Sequence, residues 1–193
     1  LVVVVPEVPL SMGIVDAMNE KGIRVFGPNA KCAQLEGSKA FTKAFLARHD
    51  IPTAGYKEFT DKEELLAAVG IYGYPMVIKA DGLALGKGVI IAMTREEALD
   101  AVKSMMSDKV FGASGDQIVI EEFLTGPEVS VLAFTDGNCV KPMVSSMDHK
   151  RIGDNDTGLN TGGMGTVAPN PYYTKAIADE CMETIFLPTI NAM

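Results

Sequence analysis

Apolar and polar positions follow one another along this chain in two rhythms, and the change between them divides it. Leu1 to Val5 is a continuous apolar run of strand length, Ile14 to Glu20 has helical spacing closed by Gly22, and Ile23 to Phe26 is a second apolar run ended by Gly27-Pro28. Strand, helix, strand in that order predicts the end of a parallel α/β unit, because parallel neighbours need a crossover between them. Ala30 to His49 reads as helical through Phe41, Ala44, Phe45 and Ala47, but "LEGSK" (Leu35 to Lys39) puts a glycine and a serine in its middle. A serine N-cap there predicts two helices with a bend. Ile51-Pro52 opens an extended segment to Phe59, and Asp61 to Gly70 predicts a helix with Asp61 and Glu64 placed as a capping box.

From Tyr74 the rhythm changes. Met76 to Ala80 and Val89 to Met93 predict strands, Arg95 to Met106 an amphipathic helix, and Ile118 to Leu124 and Val129 to Phe134 strands separated by "TGPE". Asp136-Gly137 is a hairpin signal that leads into Cys139 to Met147. Such short links predict antiparallel pairing, so this part is α+β. The chain opens inside an apparent strand without an initiating Met, and a helical pattern that begins after Tyr173 is still running at Met193. Those ends predict a piece of a longer protein.

The 193 residues, 47% hydrophobic and 22% charged, are ordinary globular material able to bury a core. A formal net charge of −8 argues against nucleic acid as a partner, since a phosphate backbone is bound through a basic face. "LVVVV" is too short for a signal-peptide core, and no run reaches the roughly 20 apolar residues of a membrane span. Cys32, Cys139 and Cys181 are far apart and form no C-x-x-C, so the reading is of a cytoplasmic protein without a disulfide frame or zinc site.

Three stretches carry candidate chemistry. "VIKADGLALGKGVIIA" (Val77 to Ala92) resembles a phosphate loop, yet its glycines fit neither the P-loop nor the dinucleotide fingerprint. A glycine-rich hairpin can close backbone N–H groups and a lysine over phosphate oxygens while Lys79, on the strand, supplies a fixed cation; a flexible hairpin with solvated lysines is the plain alternative. "VIEEFLTGPE" (Val119 to Glu128) offers an apolar slot at a strand end and a later carboxylate, as an adenine nucleoside needs. By itself it is read more simply as an exposed acidic strand end. "SSMDHKRIGDNDTGLNTGGMG" (Ser145 to Gly165) is a long polar stretch without strand or helix periodicity, which predicts a functional loop in which Lys150 and Arg151 hold an anion and Asn160 to Gly163 present polar groups, with a disordered segment as the plain alternative. His49, at a helix end, is read as answering the helix dipole.

Taken in order, "GP…LEGSKAFTKAFLARHDIPTA", "VIKADGLALGKGVIIA", "VIEEFLTGPEVS", "DHKRIGDNDTG" and "NTGGMG" closely resemble the glycinamide ribonucleotide synthetases of the ATP-grasp superfamily. The resemblance covers essentially the whole chain. It departs from the family pattern at Val5, Met147 and Leu159. It implies an α+β ATP-grasp fold of antiparallel sheets with flanking helices, preceded by the end of a parallel α/β domain. Residues 1–29 would belong to the preceding domain and 30–193 to an ATP-grasp domain incomplete at its carboxyl end, with the small nucleotide-binding subdomain within 73–134.

The same resemblance implies a ligase of purine biosynthesis that activates glycine as an acyl phosphate with ATP and passes it to 5-phosphoribosylamine. Lys39 and Lys79 would contact the nucleotide phosphates, and Gly82, Gly86, Lys87 and Gly88 would form the lid over the triphosphate. Glu121, Glu122, Phe123 and Leu124 would bind the adenine edge, and Glu128 the ribose hydroxyls. Asp148, His149 and Lys150, with Asn160, Thr161, Gly162, Gly163 and Met164, would line the side where the acceptor and the glycyl phosphate meet. Magnesium, or manganese in its place, would be held by ligands beyond Met193, with none in this chain. The partners implied are small molecules, with no nucleic acid and no membrane, and the protein a monomer. Two other readings stand beside this one: an ATP-grasp ligase with a different acceptor, and a nucleotide-binding module without turnover.

Overall fold

The computed structural model describes residues 1–83, 88–155 and 157–193, the side chains of Leu159 and Asn160 excepted. The chain divides into two compact units, one of residues 1–47 and 53–124, the other of residues 48–52 and 125–193.

The first unit begins with β1 (Val2–Val3), two short helices α1 (Glu7–Ser11) and α2 (Ile14–Glu20), and β2 (Val25–Phe26). β1 and β2 pair in parallel, as the strand–helix–strand order predicts. Helix α3 (Ala30–Gly37) is capped by Asn29, whose side chain accepts from the Cys32 N–H at 2.9 Å. The predicted break falls at Ser38, which is extended and separates α3 from α4 (Lys39–Arg48). Its Oγ accepts from the Phe41 N–H at 3.0 Å and caps the first turn of α4.

A four-stranded antiparallel sheet follows, in the order β3-β6-β4-β5, from β3 (Tyr56–Phe59), β4 (Met76–Ala80), β5 (Val89–Ala92) and β6 (Ile118–Glu122). Its helices are α5 (Lys62–Ala68), capped by Asp61, and α6 (Arg95–Val102), capped by Thr94 and continued by a wider π-helical turn over Lys103–Ser107. Strand alternation explains the core. Met76, Ile78 and Ala80 are fully buried on one side of β4, and they join Ile118, Ile120, Ala92 and Phe59 of the sheet against Leu65 and Val69 on one helical segment and Ala98, Val102 and Met105 on the other. Removing each of the larger side chains from water contributes roughly 1.5–3 kcal/mol, so this layer fixes the sheet's register.

The second unit contains the hairpin β7 (Ala133–Thr135) and β8 (Val140–Pro142), then β9 (Met147–Asp148), β10 (Arg151–Gly153), β11 (Thr157–Asn160) and β12 (Thr166–Val167), and ends in α7 (Lys175–Cys181), a π-helical turn over Met182–Phe186, and α8 (Leu187–Ala192). β7 pairs with β8 through the predicted Asp136-Gly137 turn, where Asp136 accepts from the Asn138 and Cys139 N–H groups at 2.9 Å. Those two bonds hold the Asp136 carboxyl below its ordinary range.

Two sequence expectations change here. "TGPE" does not join paired strands: β6 lies between β3 and β4, β7 pairs with β8, and the division between the units falls at Leu124 and Thr125. The polar stretch Ser145 to Gly165 is not irregular throughout either, since β9 pairs with β12 and β10 with β11, both antiparallel. Backbone pairing, rather than apolar alternation, orders it: between residues 125 and 193 the buried side chains, among the described residues, are Ser145 and Asn170. Among the described residues no helix is long and apolar enough to cross a membrane.

Candidate functional site

The alternation that sends Met76, Ile78 and Ala80 into the core puts Val77 and Lys79 on the sheet's other face. Glu121 of β6 stands opposite Val77 on that face. Its carboxylate is 5% exposed and takes the Lys79 ammonium at 2.9 Å and the Lys43 ammonium, from α4, at 3.3 Å. Lys43 is itself only 7% exposed; it donates to Thr53 Oγ1 at 2.7 Å and to the Ala54 carbonyl at 3.1 Å, and its nitrogen lies 5.3 Å from the centre of the Tyr56 ring. Burial pulls the Lys43 pKa down while Glu121 opposes the shift. One buried carboxylate thus serves two cations. Lys79, about a quarter exposed, is the more accessible of the two.

Lys39 reaches the same region from the first turn of α4. Its ammonium donates to the Gly82 carbonyl at 2.8 Å, and Gly82 turns the chain after β4 with φ +86°, where a Cβ would come within 2.9 Å of Ser114 Oγ. Asp81 ties this turn to α4, accepting from Ser38 Oγ at 3.0 and 3.2 Å and from the Ala40 N–H at 3.0 Å. Burial lowers the Lys39 pKa; the Asp81 charge opposes this, and the like charge of Lys79 adds to it. Glu58 is pushed up, by burial first and by the Asp81 charge second.

Gly88 closes the hairpin, its carbonyl accepting from the Ala80 N–H at 2.8 Å, whereas Gly86 and Lys87 lie outside the described residues. Glu121 is no exposed acidic strand end: β6 is buried on both faces from Ile118 to Glu121, and two lysines from other elements meet the carboxylate. Glu122 is exposed and accepts from the Gly55 N–H at 2.8 Å. Phe123 and Leu124 follow with 37% and 65% exposure.

In the second unit Asp148, His149 and Lys150 run beside residues 161–165. The His149 N–H donates to the Gly165 carbonyl at 2.9 Å and the Met164 N–H to the His149 carbonyl at 2.7 Å, while Thr161 donates to the Lys150 carbonyl through both its N–H, at 2.7 Å, and its Oγ1, at 2.8 Å. The Gly163 N–H donates to Thr161 Oγ1 at 3.0 Å. Gly163 has φ +118° and lies so close to Asp148 that a Cβ would stand 3.1 Å from Oδ1. Gly162 is exposed, and the side chain of Asn160 lies outside the described residues. Lys150 forms an ion pair with Glu128, so two residues assigned by resemblance to different substrates meet here.

Sequence reasoning did not single out Lys43, Ser38 as the partner of Asp81, or Asn170. The amide of Asn170, 3% exposed, donates to the carbonyls of Glu128 at 2.8 Å and Ser146 at 3.3 Å and accepts from the Tyr172 N–H at 2.8 Å. Lys43 had a signal, one helical turn after Lys39 on the same face; Asn170 in "APNPYY" had none beyond a turn-forming composition.

Chemically, the first unit gathers cations in a form that suits an anionic group, while in the second the N–H groups of His149, Thr161, Gly163 and Met164 are taken up within the polar ladder itself. Among the described residues no group of three or more His, Cys, Asp or Glu stands ready to hold a metal ion.

Known proteins resemble this chain along its whole length. Residues 1–36 match the family model of the phosphoribosylglycinamide synthetase N domain, and residues 37–193 that of its ATP-grasp (A) domain. A phosphoribosylamine–glycine ligase of Haemophilus influenzae is 56% identical over all 193 residues, which are 45% of that protein. The chain therefore spans less than half the length of such curated relatives. The crystal structure of phosphoribosylamine–glycine ligase from Thermotoga maritima superposes with a TM-score of 0.80 at 36% identity, over 87% of this chain and 42% of that one. N5-carboxyaminoimidazole ribonucleotide synthetase from Thermus thermophilus, at 21% identity, shares the fold with a TM-score of 0.68 over 96% of this chain and 45% of its own.

Proposed function

The chain belongs to the phosphoribosylglycinamide synthetase family, and from that premise we propose that it serves an ATP-dependent ligase joining glycine to 5-phosphoribosylamine. The products would be glycinamide ribonucleotide, ADP and phosphate, in purine biosynthesis. What carries the reading within the structure is the like-charge neighbourhood of Lys39 and Lys79, each presented by a different element beside the turn at Gly82. Gathering two ammonium groups has a cost that an anionic ligand such as a triphosphate recovers.

A carboxylate is a poor electrophile. Moving the terminal phosphoryl group of ATP onto glycine gives a mixed anhydride, which the amine of 5-phosphoribosylamine attacks at the carbonyl carbon while phosphate leaves. Charge builds on the transferring phosphoryl oxygens, and Lys39 and Lys79 stabilise it. The exposed Phe123 and Leu124 after β6 offer apolar surface and backbone groups for adenine. Glu128 is the ribose candidate, and its pairing with Lys150 means that a nucleoside taking the carboxylate would compete for that lysine's partner. Asp148 to Lys150 with residues 160–164 supply the acceptor side. Magnesium is proposed as the counter-ion of ATP, and a cytoplasmic monomer as the working form.

The test is ADP release by the intact protein with ATP, magnesium, glycine and 5-phosphoribosylamine. Turnover should need all of them; ADP release that continues unchanged with glycine omitted sinks the assignment.

A further inference from the structure

Lys43 has no place among the residues expected to touch substrate, yet it is the most buried of the lysines in this cluster and the most fully bonded. Thr53 Oγ1, the Ala54 carbonyl, the Tyr56 ring and Glu121 surround its ammonium, which leaves it fixed. Lys79 differs: its described partner is Glu121 alone, and its side chain is about a quarter open to solvent.

This asymmetry matters for a lysine that must meet an anion. A buried carboxylate deprived of its cation is strongly disfavoured, so Glu121 with Lys79 as its single partner would hold that lysine back from any phosphate. With Lys43 fixed on the same carboxylate, the charge of Glu121 stays met when Lys79 leans away. We infer that Lys43 is a positioning residue that neutralises Glu121 and so releases Lys79 to bind the phosphates of a nucleoside triphosphate. The inference rests on the nucleotide reading given above.

The experiment measures binding of ATP with magnesium to the intact protein by calorimetry, for the unsubstituted protein, Lys43→Met and Lys43→Met with Glu121→Gln. Lys43→Met should weaken binding about tenfold, a coupling ordinary for members of one ion-pair network. Adding Glu121→Gln removes the carboxylate that traps Lys79 and should recover part of the affinity lost in Lys43→Met, so that the double variant binds more tightly than the single one. Were Lys43 only packing material, the second substitution would deepen the defect instead of relieving it. Absence of recovery therefore overturns the inference, as does unchanged binding by Lys43→Met. If circular dichroism shows Lys43→Met to be unfolded, Lys43→Gln takes its place with the same expected loss and recovery. Failure of the nucleotide reading itself would look different, as no ATP binding by the unsubstituted protein, and it would remove both.

Discussion

Asp81 and Ser38, 43 positions apart, are locked together: both oxygens of the Asp81 carboxylate accept from Ser38 Oγ, at 3.0 and 3.2 Å, and one of them also takes the Ala40 N–H at 3.0 Å. The end of β4 is thereby fastened to the start of α4, which sets where Lys39 stands relative to Lys79. Asp81→Ala frees the hydroxyl of Ser38 and leaves the Ala40 N–H without its carboxylate. The loss of this capping arrangement should lower stability by about 1–2 kcal/mol in urea denaturation. ATP affinity should fall further than stability alone explains, because Lys39 loses the neighbour that holds its turn. Full affinity in a folded Asp81→Ala protein would remove the fastening from the site.

Lys79→Ala takes away the accessible cation and leaves Lys43 to neutralise Glu121, so the sheet face keeps a balanced pair. The fold should survive, with an unchanged circular dichroism spectrum. Catalysis should drop on the order of 10²-fold or more, as when a fixed group that stabilises transition-state charge is deleted. Normal turnover would move Lys79 out of the phosphate site.

The pKa of Lys39 lies below the ordinary 10.5, with burial the main cause. Because the folded protein holds this proton less tightly than the unfolded chain does, the cost of burying the charge is fully present below the folded value and is relieved as pH rises from there toward 10.5. Anion binding moves the other way, since neutral Lys39 attracts no phosphate. ATP affinity should decline on the alkaline side with a midpoint below 10.5, and Lys39→Arg, whose guanidinium stays charged, should shift that decline to higher pH. A decline that is identical in both proteins points to another group.

The sequence shows what local chemistry dictates and hides what long-range pairing decides. The break at Ser38, the Asp61 cap and the buried side of β4 are legible because spacing and cap residues act within a few positions. The burial of Glu121 is not, because its partners come from α4 and β4, and a charge at a strand end reads as solvated until they are in place. Nor are the short strands between 147 and 167 legible, since a strand without a buried face has no apolar alternation to display. The polar ladder that places His149 beside Met164 is a backbone fact that side-chain pattern does not encode.

Between residues 125 and 193 the buried side chains, among those described, are polar, so this stretch relies on satisfied hydrogen bonds where the sheet of the first unit relies on apolar packing. The Asn170 side chain joins three points at once: the carbonyl of Glu128, the carbonyl of Ser146 and the N–H of Tyr172. Asn170→Ala removes every one of those partly buried bonds at once, which should cost about 2–3 kcal/mol. Asn170→Asp keeps the acceptor for Tyr172 but turns a carboxylate toward two carbonyl oxygens, and it should be at least as damaging. Because the Tyr172 N–H and the Ser146 carbonyl, just before Met147, are two of the three points, hydrogen exchange should quicken at the Tyr172 N–H and in the strand Met147–Asp148, while the amides of Ile78 and Ile120 in the first unit keep their protection. Uniform loss of protection across both units would mean that they unfold as one, and the stability of the second could not then be assigned to this amide.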